Sequence, residues 1–264
     1  VEYVSGGRWV THSLLAPSMR DRRVFLAGDA AHLIPPTGGF GMNLGIGDAV
    51  DLGWKLAATM KGWGGPKLLD SYFAERHAVD AWVIARQEDN HALLSDDMYE
   101  DGAEDPGERG AQVRERLAEL IATQKVQEFS SLGCQLGYRY QDSPIVAHED
   151  SPWPEVTQQL YVPSAHPGCL APHRWLADGR SLYDAFGPEF TLLNLGAADA
   201  EAARIVAAAG DRDVPIELFV SDEEGLRELY EADLVLIRPD QHVAWRGDSA
   251  PADPNALIDL ARGA

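Results

Sequence analysis

The chain has 264 residues, 45% of them hydrophobic, so it is long enough to bury a sizeable core and favours two domains over one. Its 42 acidic and 22 basic residues give a formal net charge of −20. A surface this acidic repels phosphate backbones and anionic lipid headgroups, which excludes nucleic acid and membranes as expected partners.

The N-terminal residues and the cysteines bear on the location of the protein. No apolar run reaches the ~20 residues that span a bilayer, and the opening VEYVSGGRWV lacks the pattern of a signal peptide. We therefore expect a cytoplasmic protein. Because the chain does not begin with Met, we expect its first residue not to be a natural start. Cys134 and Cys169 are too few and too far apart for a disulfide framework or a CxxC site, which predicts buried or half-buried thiols.

The first half of the chain is predicted to form two strands followed by three helices. Residues 1–10 and 23–28 have strand patterns, and the second of these, RVFLAG, is a short apolar run that ends on glycine, as buried strands do. A loop rich in Pro and Gly follows. Apolar residues at helical spacing then predict helices over residues 42–60, 68–94 and 111–129.

The second half has a different rhythm. Residues 137–172 hold six prolines and few periodic positions, so we place a domain boundary near Ser164, giving domains 1–163 and 164–264. The elements predicted beyond it are strands at 190–195, 216–220, 234–238 and 242–246 and helices at 199–209, 223–232 and 256–262. This βαβαββα order predicts a small sheet with helices packed on it.

The segment RVFLAGDAAHLIPPTGGFGMNLGIGDAVDLGWK contains the candidate functional residues. A buried strand would deliver Gly28 and Asp29 to its carboxyl end, where α/β folds place their ligands. In the loop over residues 35–41, prolines restrict the backbone, and glycines such as Gly39 allow positive φ or close approach to a flat ligand. A helix begins near Met42, and its positive end favours an electron-rich ligand edge. Asp29 by itself is more typical of a turn or an N-cap, so the prediction depends on the whole string.

This string resembles the second FAD-binding motif of the class A flavoprotein aromatic hydroxylases, such as the phenol, hydroxybenzoate and polyketide-tailoring hydroxylases. The resemblance implies that Asp29 hydrogen-bonds the ribityl chain of FAD. It places Pro36, the candidate catalytic residue, beside the isoalloxazine with its carbonyl near the substrate hydroxyl. Backbone groups of Gly41, Met42 and Asn43 would approach the pyrimidine edge of the flavin. The candidate cofactor-binding residues are Gly28, Asp29, Pro36, Gly39, Gly41, Met42 and Asn43.

The resemblance continues downstream. GWGGPKLLDSYFAERHAVDAWVIARQ is similar to the next helix of the family, with Tyr72, Glu75 and Arg76 in a Y-x-x-E-R signature. We expect the charges of Glu75 and Arg76 to pair across a helix interface. His32 is expected to orient the loop, and the remaining histidines show no ligand spacing, so no metal site is expected.

The expected fold class is α/β: part of a Rossmann-like, hydroxylase-type FAD-binding domain with long helices, followed by a thioredoxin-like C-terminal domain. The second of these rests on the resemblance of the βαβαββα unit to the domain appended to phenol-hydroxylase-type members. Since that unit has no CxxC, we expect it to be redox-inert and to serve packing or dimerisation, which makes a homodimer one expected assembly.

The family's GxGxxG fingerprint, which seats the pyrophosphate of FAD, is missing from the sequence, as is most of the substrate-binding sheet. We therefore expect either a fragment or a complementary chain that supplies the N-terminal half. The implied reaction uses NAD(P)H to reduce FAD and transfers one oxygen atom of O2 to a phenolic or polyketide aromatic substrate, and this chain alone should be inactive. Two alternatives stay open: a non-catalytic dimerisation or binding module, and a same-fold flavoprotein oxidase.

Overall fold

The structure, a computed structural model, describes residues 6–7, 10–95 and 100–264. The predicted strand over residues 1–10 lies for the most part outside these residues. Within the described part of the chain, no helix is both long enough and apolar enough to cross a membrane.

The chain divides into two compact units, here called the first unit and the second unit. The first unit comprises Val1–Ile46 with Asp80–Ser130, and the second unit comprises Gly47–Val79 with Ser131–Ala264. The elements in chain order are β1 (Leu14–Leu15), β2 (Arg20–Asp21), β3 (Val24–Phe25), β4 (His32–Leu33), α1 (Phe40–Lys61), α2 (Ser71–Ser95), α3 (Glu108–Thr123), α4 (Leu132–Leu136), β5 (Phe190–Asn194), α5 (Asp199–Gly210), β6 (Ile216–Val220), α6 (Leu226–Tyr230), β7 (Leu234–Ile237), β8 (Val243–Gly247) and α7 (Pro254–Ala261). Helices α1 and α2 each supply residues to both units.

The strands of the first unit form short antiparallel ribbons. β1 pairs with β4, and β2 pairs with β3, each over two residues. The predicted buried strand over residues 23–28 is wrong in both length and burial, because only Val24–Phe25 is a strand and Val24 is 65% exposed. Among the described residues β3 pairs with β2 alone, so β3 is part of a two-stranded ribbon and not of a larger sheet.

The three predicted helices are present, with shifted ends. α1 begins at Phe40, two residues before the predicted start. The helix predicted over residues 111–129 is confirmed only as far as Thr123, after which a separate 3-10 turn spans Lys125–Glu128. The hydroxyl of Thr123 donates to the carbonyl of Glu119 at 2.7 Å, a local bond that competes with continuation of the helix.

A four-stranded sheet of order β6-β5-β7-β8 forms the centre of the second unit. β5 and β6 are parallel, whereas β7 is antiparallel to both β5 and β8. The predicted βαβαββα order is confirmed, and β6 has the predicted bounds, Ile216–Val220. Each of these elements has its own apolar periodicity, so short-range patterns are sufficient to predict it.

Helices cover both faces of this sheet. Alternate residues of β5 face opposite sides, so Phe190 and Leu192 join a cluster with α5, α7 and Trp54 of α1. Leu193 joins a second cluster, with Tyr230 of α6. The two central strands, β5 and β7, are therefore buried along their whole length.

A buried ion-pair network connects α1 and α2 to the β7–β8 turn within the second unit. Arg238 donates to both carboxylate oxygens of Glu75, at 2.6 and 2.8 Å, and to both of Asp240, at 3.1 and 2.6 Å. Lys55 donates to Asp51 at 2.7 Å and also to Glu75. All five side chains are buried. The prediction that Glu75 pairs across a helix interface is confirmed.

The carboxyl groups of this network have pKa values that are shifted in opposite directions. Burial by itself would raise the pKa of Glu75 and of Asp240, but the guanidinium of Arg238 together with Lys55, and for Asp240 also with His242, lowers both. Burial raises the pKa of Asp51 well above its ordinary value, although the ammonium of Lys55 opposes this. Lys55 and Arg238 thus provide two cations for three buried carboxyl groups, and the carboxyl group with the raised pKa is that of Asp51.

We predict that Arg238→Met lowers the free energy of unfolding by about 3–5 kcal/mol at neutral pH, because Glu75 and Asp240 then stay buried without the guanidinium that donates to both of them. The depressed pKa values of these carboxyls stabilise the fold above their ordinary values of 4.5 and 3.8, and this stabilisation is lost as the pH falls through the folded values. The difference between variant and wild type should therefore shrink below about pH 4. Urea unfolding at neutral and acidic pH measures it.

Arg180→Met is the matched control, because Arg180 pairs with Asp178 at an exposed position. We expect the control to change the free energy of unfolding by less than about 0.5 kcal/mol. Equal losses in the two variants, or a loss in Arg238→Met that does not depend on pH, would contradict the assigned role of Arg238.

Candidate functional site

The segment after β3 makes a tight turn that presents Asp29. Gly28–Ala30 is a single 3-10 turn, closed by a hydrogen bond from the N–H of Ala31 to the carbonyl of Gly28 at 2.7 Å. Gly28 has φ +58°, a left-handed conformation that glycine adopts without a steric penalty. Asp29 is exposed, as a carboxylate that binds a ligand has to be.

Two consecutive glycines shape the loop that follows. Pro36 is exposed and precedes a second 3-10 turn, Thr37–Gly39, in which Gly38 and Gly39 have φ +79° and +70°. A Cβ on Gly38 would lie 2.6 Å from the ring of Phe40. At Gly39, by contrast, no atom of the described residues lies within 4 Å of that position. The backbone at Gly39 is therefore open to close approach by a flat ligand.

Helix α1 begins directly after this turn, so Gly41, Met42 and Asn43 lie in its first turn. Met42 is 74% exposed, and Asn43 is exposed as well. The side-chain amide of Asn43 donates to the carbonyl of Gly39 at 3.0 Å, which ties the loop to the helix. The first turn of an α-helix has N–H groups without intrahelical acceptors and a partial positive charge. Such donors suit an electron-rich ligand edge.

The Gly28 turn packs directly against α1. A Cβ on Gly45 would lie 3.2 Å from the Cα of Gly28, so the two backbones approach closely because neither residue has a side chain. Gly45 is not among the site residues predicted from the sequence. The available signal was a glycine inside a helical apolar pattern, which lowers helix stability and indicates close backbone approach. The structure thus brings the turn carrying Asp29 against the N-terminal part of α1 in the first unit.

Three further residues named in the sequence predictions, Tyr72, Arg76 and His32, are buried. Tyr72 is fully buried in the second unit. Arg76 donates to Asp48 of α1 at 2.9 Å and lies over the ring of Tyr138, so its predicted ion pair across a helix interface is confirmed. His32 is buried in β4, and its role in orienting the loop stays a prediction.

Three buried carboxylates of the second unit, those of Asp51, Glu75 and Asp240, have the spacing of a metal site. Lys55 and Arg238 already donate hydrogen bonds to their oxygens. The ammonium and guanidinium groups occupy the positions that a metal ion would need. This set of groups fits internal cations and does not fit a metal.

Comparisons with known proteins connect this geometry to a family. Residues 1–87 match a family model described as an FAD binding domain, and residues 164–262 match one described as aromatic-ring hydroxylase, C-terminal. In these two regions the chain is similar to the FAD-dependent aromatic-ring hydroxylases.

The relatives that the chain matches are longer than it is. It is 36% identical over 247 residues to the FAD-dependent monooxygenase apdD of Emericella nidulans, covering 89% of the chain and 39% of that protein. It is 31% identical to phenol 2-monooxygenase of a Pseudomonas species, covering 100% of the chain and 49% of the relative. The solved rebeccamycin biosynthetic enzyme RebC with reduced flavin is 42% identical with a TM-score of 0.88, covering 97% of this chain and 48% of that one. The chain thus spans about half the length of the relatives it matches.

The first unit of the chain offers groups that fit a flavin. Asp29 is an exposed carboxylate able to accept hydrogen bonds from ligand hydroxyls. Gly39 presents an open backbone, and the first turn of α1 supplies N–H donors and positive charge. A ligand with a polyol chain and a flat, electron-rich ring system matches these groups.

We predict that Gly45→Ala lowers the free energy of unfolding by about 1–3 kcal/mol, because the added methyl would press on the Cα of Gly28. Gly53 of the same helix is the matched control, since a Cβ there meets no described atom within 4 Å. Gly53→Ala should raise stability by up to about 1 kcal/mol, as alanine favours a helix. Urea unfolding followed by circular dichroism compares them, and similar effects of both substitutions would show that the contact at Gly28 does not constrain α1.

Proposed function

We propose that this chain is the C-terminal part of an FAD-dependent monooxygenase that uses NAD(P)H and O2 to hydroxylate a phenolic or polyketide aromatic substrate. The observation that carries the proposal is the glycine-shaped turn, loop and helix start from Gly28 to Asn43, in a chain that also matches the hydroxylase C-terminal model. Relatives named phenol 2-monooxygenase and aklavinone 12-hydroxylase RdmE support the two substrate classes.

The cofactor is held by three kinds of group in this proposal. Asp29 accepts hydrogen bonds from the ribityl chain, and Gly28 and Gly39 allow the backbone to approach the flavin closely. The N–H groups of Gly41–Asn43, in the first turn of α1, face the pyrimidine edge. Their positive end stabilises the negative charge that a reduced flavin gains there.

Pro36 contacts the substrate in this proposal. Its carbonyl accepts a hydrogen bond from the substrate hydroxyl, which orients the aromatic ring. The exposed position of Pro36, one residue before the Thr37–Gly39 turn, supports this role. FAD supplies the redox and oxygen-transfer chemistry when it is bound, and the chain contributes orientation and exclusion of water.

The remainder of the FAD-binding domain, including its pyrophosphate site, comes from a preceding segment or a complementary polypeptide. The length of the relatives supports this, because the chain spans about half of them.

We place the boundary between the two domains of the present chain at residues 163/164. A hydroxylase C-terminal match that begins at residue 164 supports this division.

We further propose a thioredoxin-like, redox-inert fold for residues 164–264. The strand order β6-β5-β7-β8, with only β7 antiparallel to its neighbours, supports this fold. Both cysteines of the chain, Cys134 and Cys169, are buried, as predicted from the sequence. Burial raises the pKa of Cys169 to about 11, so its thiol stays protonated and unreactive at neutral pH. Packing or homodimer formation is the role that fits such a domain.

We predict that in the complete flavoprotein Asp29→Ala weakens FAD binding by roughly 1.5–3 kcal/mol, the typical contribution of a hydrogen bond to a charged group. Asp29→Asn keeps an acceptor oxygen and should lose less. Asp21→Ala is the control, since Asp21 is an exposed aspartate of β2 in the same unit. Flavin fluorescence titration measures the three affinities, and an unchanged affinity in Asp29→Ala would remove Asp29 from the site.

We also predict that this chain by itself binds FAD weakly and hydroxylates nothing. The loop and helix start address only the ribityl and pyrimidine part of FAD, while the sequence lacks the GxGxxG turn that binds the pyrophosphate. A flavin titration of the isolated chain tests this, and saturable micromolar binding would contradict it.

In the complete protein, incorporation of labelled O2 into the product separates a hydroxylase from a same-fold oxidase.

A further inference from the structure

The loop between Pro36 and α1 is held by a residue far away in the sequence. The N–H of Gly38 donates to Oε1 of Glu128 at 3.1 Å, across 90 sequence positions. Glu128 ends the 3-10 turn Lys125–Glu128 that follows α3, and both residues belong to the first unit. A hydrogen bond to a carboxylate is stronger than one to a neutral acceptor.

The carboxylate of Glu128 is itself oriented by an ion pair. Its other oxygen, Oε2, pairs with Lys125, and the two side chains are 13% and 12% exposed. One oxygen therefore contacts the loop while the other contacts a cation of the same turn. The pair adds little net charge beside the loop, which suits a site whose proposed ligand becomes more negative on reduction.

Helix α2 contacts the same two loop residues. The hydroxyl of Thr37 lies 3.5 Å from both the backbone carbonyl and the side-chain Oε1 of Gln87. A Cβ on Gly38 would lie 3.0 Å from the same Oε1. Thr37 and Gly38 are thus held between α2 and the Lys125–Glu128 turn. On one side they adjoin Pro36, and on the other they lead through Gly39 into α1.

We propose that Glu128 is a positioning residue for the flavin site. By binding the N–H of Gly38, it fixes the Thr37–Gly38 peptide. This peptide lies inside the turn that is closed by the hydrogen bond from the N–H of Gly39 to the carbonyl of Pro36, at 3.1 Å, and that leads into α1. This inference rests on the proposed function and deepens it, because it assigns a residue outside the motif to the geometry of the same site.

The first experiment uses the chain without flavin. Glu128→Ala removes the acceptor, Glu128→Gln keeps an acceptor oxygen, and Glu115→Ala replaces an exposed glutamate of α3 as the matched control. We expect amide hydrogen exchange at Gly38 to become about tenfold faster in Glu128→Ala and to stay near the wild-type rate in the other two. Unchanged exchange in Glu128→Ala would overturn the contact whether or not the protein binds flavin.

The second experiment measures the affinity of the complete flavoprotein for FAD, together with its thermal unfolding. We expect Glu128→Ala to bind FAD about tenfold more weakly, with affinity restored by Glu128→Gln and with little change in the unfolding temperature. Faster exchange at Gly38 with unchanged FAD affinity would overturn the positioning role and leave Glu128 as a purely structural residue. If the wild-type protein binds no FAD, the proposed function fails, and the role in flavin positioning fails with it.

Discussion

The second unit depends on Arg238, whose guanidinium donates hydrogen bonds to two buried carboxylates at once. Glu75 and Asp240 each accept two hydrogen bonds from it, and a buried carboxylate without such a partner is strongly destabilising. The planar guanidinium of arginine donates to carboxylates only at fixed angles. Since Glu75 lies on α2 and Lys55 and Asp51 on α1, the network determines how the second-unit parts of these helices meet the β7–β8 turn.

The candidate site in the first unit depends on glycines, which lack side chains. Gly28 and Gly45 let two backbones approach to a distance at which a Cβ on Gly45 would be crowded, and Gly38 and Gly39 take up left-handed conformations. The result is a turn, a loop and a helix start whose backbone groups and one carboxylate, that of Asp29, are exposed. This is the surface expected of a site that recognises a flat ligand mainly through its edges.

The chain matches known families in two regions but covers only about half the length of its relatives. It matches an FAD binding domain model over residues 1–87 and a hydroxylase C-terminal model over residues 164–262, yet it spans about half of the relatives. The groups it supplies suit the ribityl chain and ring edge of a flavin, and the pyrophosphate needs a glycine-rich turn from elsewhere. In the proposed enzyme, this chain therefore orients the reacting end of the cofactor, and the rest of the domain contributes affinity.

The sequence by itself determined the local features of this protein. The βαβαββα order and the presence of a long helix after the glycine-rich loop follow from periodicity and turn chemistry, which act over a few residues. Only the tertiary structure decided the burial of the segment at residues 23–28, the contact of Gly45 with Gly28 and the bond from Gly38 to Glu128. Pairings across 90 or 163 positions depend on which surfaces the whole chain buries together, and no local pattern contains that information.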